Sequence, residues 1–290
     1  MRKMPILAAA FMLTCMHAAA VAADPVKVVA AENFYGDIAE QIGGPNVAVT
    51  SIMSNPDQDP HLFEASVSTA RDLASAKVVI SNGADYDPWM EKLLRAHKAP
   101  GRKEIVVANL VHKKAGDNPH IWYDPATMVA LAKVLAADLS SVDPAHKADY
   151  AKGADTFIES LKPLETNIAE MKKRYAGQPV TASEPVFGYM AEALGLKMHN
   201  EQFQLAVMNN TEPSASQIAA FETDLKEHKV KVMLYNSQAD NVSVKRLVNI
   251  AQESKIPIVG VSETEPAGKT YQNWMLEQLD ALDKALGGNT

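Results

Sequence analysis

Residues 143–177 read DPAHKADYAKGADTFIESLKPLETNIAEMKKRYAG, and how this stretch folds decides the organisation of the whole chain. Asp143 is a good N-cap with Pro144 at the first helical position, and Gly177 supplies a stop after Tyr175. Between them Tyr150, Phe157, Leu161, Leu164, Ile168, Met171 and Tyr175 recur at three- and four-residue spacing, which marks one apolar face of a single helix. At ~1.5 Å per residue such a helix is about 50 Å long, enough to run along two domains. Pro163 cannot donate to the carbonyl four residues back, so a kink there, or a break into two helices, is expected. Either version is a stiff connector with a limited hinge.

On both sides of this connector, strand-like runs alternate with helix-like ones. Val26–Ala30, Asn46–Ile52, Lys77–Ser81 and Glu104–Ala108 are short, β-branched and nearly continuous in apolar character, as strands buried on both faces of a parallel sheet should be. Helical patterns at Phe34–Ile42, Ser66–Ala76, Pro88–His97 and Pro125–Leu139 separate or follow them. The pattern restarts with strand candidates Pro179–Ala182, Lys197–Gln202, Lys229–Tyr235 and Ile256–Val261. Their helices are Pro185–Leu194, Ser214–His228, Val242–Ser254 and Tyr271–Leu286. The expected fold is α/β: two open parallel-sheet lobes, 24–141 and 178–290, joined by one long backbone helix over 142–177.

Residues 1–23 are set aside as a signal peptide: Arg2 and Lys3 form a basic start, Ile6 to Ala20 is apolar, and Ala20-Val21-Ala22 is an A-x-A cleavage site ahead of Asp24. A membrane anchor needs about 20 apolar residues, and His17 interrupts a stretch already too short. Cys15 raises a lipoprotein reading, but Met12 and Thr14 fit a lipobox poorly, so export without a covalent anchor is expected. Cleavage removes the only cysteine, which leaves nitrogen and oxygen as the donors for any metal. It also takes Lys+Arg from 28 to 26 against 35 Asp+Glu, a mature net charge of −9 that disfavours nucleic acid as a partner. No second hydrophobic span is expected, and the remaining length suffices for two ordinary domains in a soluble monomer.

Two histidines arrive in near-identical packaging, Asp59-Pro60-His61 and Asn118-Pro119-His120, each after a strand-like run. Proline fixes its own φ and holds the preceding residue extended, so the imidazole behind it sits on a stiff corner and loses little freedom on capturing a ligand. Open α/β sheets bind ligands beyond the carboxyl ends of their strands. Reading those ends adds Glu184, after Val180-Thr181-Ala182-Ser183, and Glu263, after Ile258-Val259-Gly260-Val261-Ser262. A lone Glu at a strand end is ordinarily a helix cap or a surface residue, and Glu184 before Pro185 could be no more than that. The constellation carries the argument: two imidazoles and two carboxylates without thiolate suit zinc, manganese or ferrous iron.

With these residues in view, the chain from about Val26 onward resembles the zinc- and manganese-binding solute-binding proteins of bacterial ABC importers. The motifs are Asp59-Pro60-His61-Leu62-Phe63-Glu64, Asn118-Pro119-His120-Ile121-Trp122, Ser183-Glu184-Pro185-Val186-Phe187-Gly188-Tyr189 and Glu212-Pro213-Ser214. The resemblance implies two α/β lobes on one backbone helix, periplasmic location, a membrane permease as partner, and metal ligands at His61, His120 and Glu184. The family's fourth ligand is usually Asp near the end of the last strand. Ser262-Glu263-Thr264-Glu265 stands there instead, so Glu263 fits the position and Glu265 is the alternative. The family's zinc importers often carry a His-rich loop between the first two motifs; this chain has none, and together with the two carboxylates that ranks Mn²⁺ ahead of Zn²⁺ as cargo, with Fe²⁺ also compatible.

Among the other histidines, His97, His146 and His228 lie in helical patterns among charged neighbours, His112 in a loop, and His199 after a strand as the strongest outsider. Trp89, Trp122 and Trp274 read as packing residues. A zinc hydrolase is the rival class, since two His and a carboxylate with a second carboxylate as base would serve. No HExxH or Gly-x-Ser-x-Gly accompanies them. A binder of a metal chelate such as haem or a corrinoid would need an aromatic or basic cleft, and only 6% of the chain is aromatic. The expected function is therefore capture of a free divalent metal ion for import, without catalysis.

Overall fold

The computed structural model describes residues 24–55, 63–238 and 242–287. Each half builds a four-stranded, all-parallel sheet. The first runs β2-β1-β3-β4, with β1 Val26–Glu32, β2 Val47–Met53, β3 Val78–Ser81 and β4 Lys103–Val106. The second repeats this order as β6-β5-β7-β8, with β5 Pro179–Ala182, β6 Lys197–His199, β7 Met233–Asn236 and β8 Ile258–Val261. In both, the chain leaves its first strand for one side and returns on the other. The crevice at that reversal, between β1 and β3 and between β5 and β7, is where open sheets seat ligands. Val78–Ser81 is buried without interruption, as a parallel strand covered on both faces must be.

The connector is a long helix bent near its middle. A 3₁₀ turn at Pro144–His146 leads into α6, Lys147–Ser160, and α7, Lys162–Tyr175, follows after the single residue Leu161. Leu161 keeps helical angles (φ −80°, ψ −13°), so the chain bends without leaving the helix. Pro163 lies in the first turn of α7, where its missing N–H costs least. The first half packs closely on α1, Asn33–Gly43: a Cβ on Gly153 would stand 2.2 Å from the carbonyl oxygen of Ile42, so only glycine permits this approach.

The lobes share one interior. Phe34 of α1 stacks on Trp122 at 4.7 Å between centroids and lies 5.9 Å from Trp274 of the last helix, α12, Tyr271–Ala285. Tyr123 in turn meets Phe187 of the second lobe edge-on at 5.3 Å. Across the same seam Tyr271 OH donates to the Trp122 carbonyl (2.7 Å), and Asp37 accepts from the Tyr271 amide (2.9 Å). Trp122 and Trp274 are thus core residues, and Trp89 packs against Phe63.

Several elements differ from the sequence reading. Helix α5, Pro125–Val142, is long and apolar enough by length and composition to cross a membrane, although no second such span was expected. Its Met128, Leu131, Leu135 and Leu139 are buried in the shared core. The expected strand 197–202 stops at His199, because Asn200 takes a left-handed conformation (φ 60°) and starts α9, Glu201–Met208. The strand expected from Lys229 begins only at Met233, and β4 gives way at Val107 to a one-turn helix, α4, Val107–Leu110.

Candidate metal centre

The Asn118-Pro119-His120 corner is bolted to the end of β3. Asn82, the residue after that strand, donates through Nδ2 to the Pro119 carbonyl (2.9 Å) and accepts at Oδ1 from Tyr35 OH (2.6 Å). Its own amide donates to Asp87 Oδ2 (2.7 Å), whose other oxygen accepts from the Gly83 amide (2.8 Å). Burial outweighs those bonds and holds the Asp87 carboxyl above the usual carboxylate range.

Asn118 fixes the state of the imidazole. Its Nδ2 donates to the Pro185 carbonyl at 2.8 Å, so Oδ1 is the atom that meets His120 Nδ1 at 2.6 Å and the His120 amide at 3.2 Å. An amide oxygen only accepts, hence Nδ1 carries a proton, and whenever the ring is neutral its lone pair is on Nε2. This Nε2 faces Glu263 Oε2 at 3.2 Å in a pair whose side chains are almost wholly buried. Tyr86 OH donates to the same oxygen at 3.1 Å; burial and the Glu263 charge push that phenol well above its usual range.

Glu184 follows β5 and precedes a 3₁₀ turn, Pro185–Phe187, but its side chain makes no capping bond to that turn. Instead Asn236, the last residue of β7, joins it to Glu263. Asn236 Nδ2 donates to Glu184 Oε2 and to Glu263 Oε1, both at 2.6 Å. Gln238 holds the assembly from behind: its amide donates to Asn236 Oδ1 (3.1 Å), and its Oε1 accepts from the Glu263 amide (2.6 Å). Asn236 therefore joins Glu184 to Glu263, whose other oxygen faces His120. Among the described residues no three His, Cys, Asp or Glu side chains alone form a group able to hold a metal ion. His61 lies outside the described residues.

Glu265 goes elsewhere. Asn33 brackets its backbone, donating to its carbonyl (2.7 Å) and accepting from its amide (3.1 Å). Its buried Oε2 has no hydrogen-bond partner, and desolvation, with the charges of Asp37 and Glu40 added, pushes its pKa up to about 9. Glu32, at the end of β1, is buried with neither oxygen hydrogen-bonded; burial first, then Asp87, lifts it well above the carboxylate range. The remaining histidines stand apart. His199 Nδ1 pairs with Asp224 (2.9 Å), His146 Nδ1 with Asp143 (2.6 Å), and His97, His112 and His228 are exposed. A cavity of about 970 Å³ beside β4, lined by Gly83, Asp85, Lys98, Arg102 and Glu104 among others, contains none of the candidate ligands.

Asn236, Tyr86 and Asn82 were not among the residues singled out in the sequence. The signal was available: the strand-end rule, applied to β2, β4, β5 and β8, also yields Asn82 after β3 and Asn236 closing β7.

Residues 28–285 match the family described as zinc-uptake complex component A, periplasmic, and the chain belongs to that family of metal-binding ABC-importer components. It is 24% identical to the manganese ABC transporter substrate-binding lipoprotein PsaA of Streptococcus mitis, over 92% of this chain and 91% of that one. It is 26% identical to the manganese-binding lipoprotein MntA of Bacillus subtilis, over 90% of each. Among solved structures, the periplasmic zinc binding protein TroA from Treponema pallidum superposes with a TM-score of 0.77 at 19% identity, covering 91% of this chain and 99% of that one, a likeness of fold. The two sequence relatives, PsaA and MntA, are named lipoproteins, which gives no support to the expected absence of a covalent anchor; residues 1–23, Cys15 included, lie outside the described residues.

Proposed function

We propose that the protein captures one divalent transition-metal ion, Zn²⁺ or Mn²⁺ with Fe²⁺ also compatible, and hands it to the membrane permease of an ABC importer without chemical change. The ligands are His61 and His120 from the first lobe and Glu184 and Glu263 from the second. The observation that carries this reading is the facing pair His120 Nε2 and Glu263 Oε2. In the neutral ring with its proton on Nδ1, Nε2 and an ionised Glu263 Oε2 are two buried acceptors 3.2 Å apart, an arrangement that a shared cation satisfies. A tetrahedral ion with bonds of ~2.0–2.1 Å sets neighbouring donors about 3.3 Å apart, close to that spacing.

Ion binding then bridges the lobes and favours the form in which both pairs of ligands meet. Lobes that share a core move little as rigid bodies, so release works through the loops that bear the ligands. Elemental analysis after loading should give one metal per chain, with His120→Ala, Glu184→Ala and Glu263→Ala each weakening binding by about ten-fold or more. Normal binding by Glu263→Ala together with loss in Glu265→Ala would overturn the assignment. For the leader, the reading is cleavage near Ala22/Ala23 to give a monomer without a covalent anchor; an intact mass showing lipid on Cys15 would replace it.

A further inference from the structure

We infer that Tyr189 is a positioning residue that acts across the seam: from the second lobe it holds the Asn118-Pro119-His120 corner of the first, so that the direction of the His120 imidazole depends on the two lobes being together. What this means for cargo rests on the metal-binding reading above, whereas the hold on His120 is measurable without any metal.

A single short segment of the second lobe grips Asn118 by both its backbone and its side chain. Tyr189, the second residue of α8, Gly188–Ala193, donates through its hydroxyl to the Asn118 carbonyl at 2.7 Å. Just before it in the chain, the Pro185 carbonyl accepts from Asn118 Nδ2 at 2.8 Å. Between the two, a Cβ on Gly188 would stand 2.9 Å from that same Nδ2, so glycine is what admits the amide. Lys113 of the first lobe places its ammonium 4.7 Å over the Tyr189 ring, a cation–π contact that ties the phenol to the lobe it reaches toward.

The hold on Asn118 passes to His120 because little between them can turn. The ring of Pro119 locks its own φ, and its carbonyl accepts from Asn82 Nδ2 at 2.9 Å. One carbonyl of the corner is therefore fixed by the second lobe and the next by the first. His120 then meets Asn118 Oδ1 twice, through its amide at 3.2 Å and through Nδ1 at 2.6 Å. The arrangement is reciprocal, since Tyr86 of the first lobe donates to Glu263 Oε2 of the second at 3.1 Å. Each lobe thus lends a phenol to a candidate ligand, or its support, on the other. Drawing residues 185–189 away from Asn118 would free the imidazole without acting on the ion itself.

The experiment compares the full-length protein with Tyr189→Phe, which removes one oxygen and keeps the ring, and with Gly188→Ala, which presses on Asn118 Nδ2. Two quantities are read: the His120 Nδ1 proton of the metal-free protein, by NMR with isotope-labelled histidine, and the affinity for Zn²⁺, by competition with a chelator. The wild type should show one sharp, slowly exchanging Nδ1 proton. Tyr189→Phe should broaden or lose that signal and weaken Zn²⁺ by about ten-fold, as loss of an outer partner does. In a His120→Ala background it should weaken binding no further, because the two residues act as one unit. Gly188→Ala should behave in the same way, and it carries the test if the Phe variant does not fold. A lowered melting temperature with the Nδ1 proton unchanged would make Tyr189 a packing residue only and overturn the inference. So would a loss of affinity that is the same with and without His120. A changed Nδ1 signal with unchanged Zn²⁺ affinity would uphold the hold on His120 and overturn His120 as a ligand, and a wild type that takes up no Zn²⁺ or Mn²⁺ would overturn the metal reading and leave the NMR comparison to decide the inference.

Discussion

Replacing Glu265 by Gln should stabilise the metal-free protein at neutral pH and leave it unchanged in acid. The carboxyl lies in the seam between the lobes with Oε2 unpartnered, and its pKa stands at about 9 because burial, then Asp37 and Glu40, oppose the charged form. In the unfolded chain a Glu titrates near ~4.3. A group whose pKa is raised by folding contributes its stability below the unfolded value and loses it as pH climbs toward the folded one. At pH 7 the gap already traversed is about 2.7 units, an upper bound of ~3.7 kcal/mol at ~1.36 kcal/mol per unit. Water reaching the side of the exposed Glu40 screens part of this, so about 1–2 kcal/mol is expected. That corresponds to a melting temperature raised by roughly 3–6 °C. Urea denaturation of wild type and Glu265→Gln at pH 4, 7 and 8.5 checks it: the two should coincide at pH 4 and diverge steadily above. A pH-independent difference, or a destabilised variant at pH 7, would refute the desolvation argument. Metal titration of the same variant adds an independent check, since a ten-fold loss of affinity would make Glu265 a ligand after all.

Gly153→Ala should gain about 0.5–1 kcal/mol from helix propensity but lose more to the clash with the Ile42 carbonyl, for a net loss of about 1–2 kcal/mol read as a lower urea midpoint. Metal affinity should drop from pH 7.5 to 5.5 as protons compete with the metal for the imidazole nitrogens, with proton release measurable by calorimetry in buffers of different ionisation enthalpy. A flat profile would argue against histidine ligation. Asn118→Ala should weaken metal binding by about 10- to 100-fold through loss of the Nδ1 partner, while Asn118→Asp, which keeps an acceptor there, should restore most of it. Chelation of the loaded protein should lower its melting temperature, because the ion binds only the folded form.

The fold was largely legible because buried parallel strands such as Val78–Ser81 write themselves as unbroken apolar runs, and because the connector repeats its apolar face over seven residues from Tyr150 to Tyr175. Strand ends were less legible where one conformational switch decides them. Nothing in the apolar run before Asn200 announces that this residue turns left-handed and opens a helix. In the site, the Pro-His corner made His120 visible, and the structure places it opposite Glu263. What stayed hidden was the amide layer of Asn82, Asn118 and Asn236. Asparagine at a strand end is common, and only the three-dimensional meeting of Nδ2 with two carboxylates sets Asn236 apart. Which of two glutamates in Ser262-Glu263-Thr264-Glu265 faces the histidine is likewise a matter of backbone direction: Asn33 holds the Glu265 backbone by both its amide and its carbonyl, at the edge of α1.

The last helix closes the first lobe. Tyr271 reaches Trp122 across 149 residues of chain, Gln278 reaches Tyr123 across 155, and Asn33 is joined to Glu265 across 232. A chain emerging amino-terminus first therefore holds Phe34 and Trp122 without their final cover until α12 arrives, and its assembly waits on contacts of the longest kind. Such a protein completes its core only when the whole chain is present, although its sheets are two. A chain cut before Tyr271 would lose the interior of a lobe whose own sequence ended long before the cut.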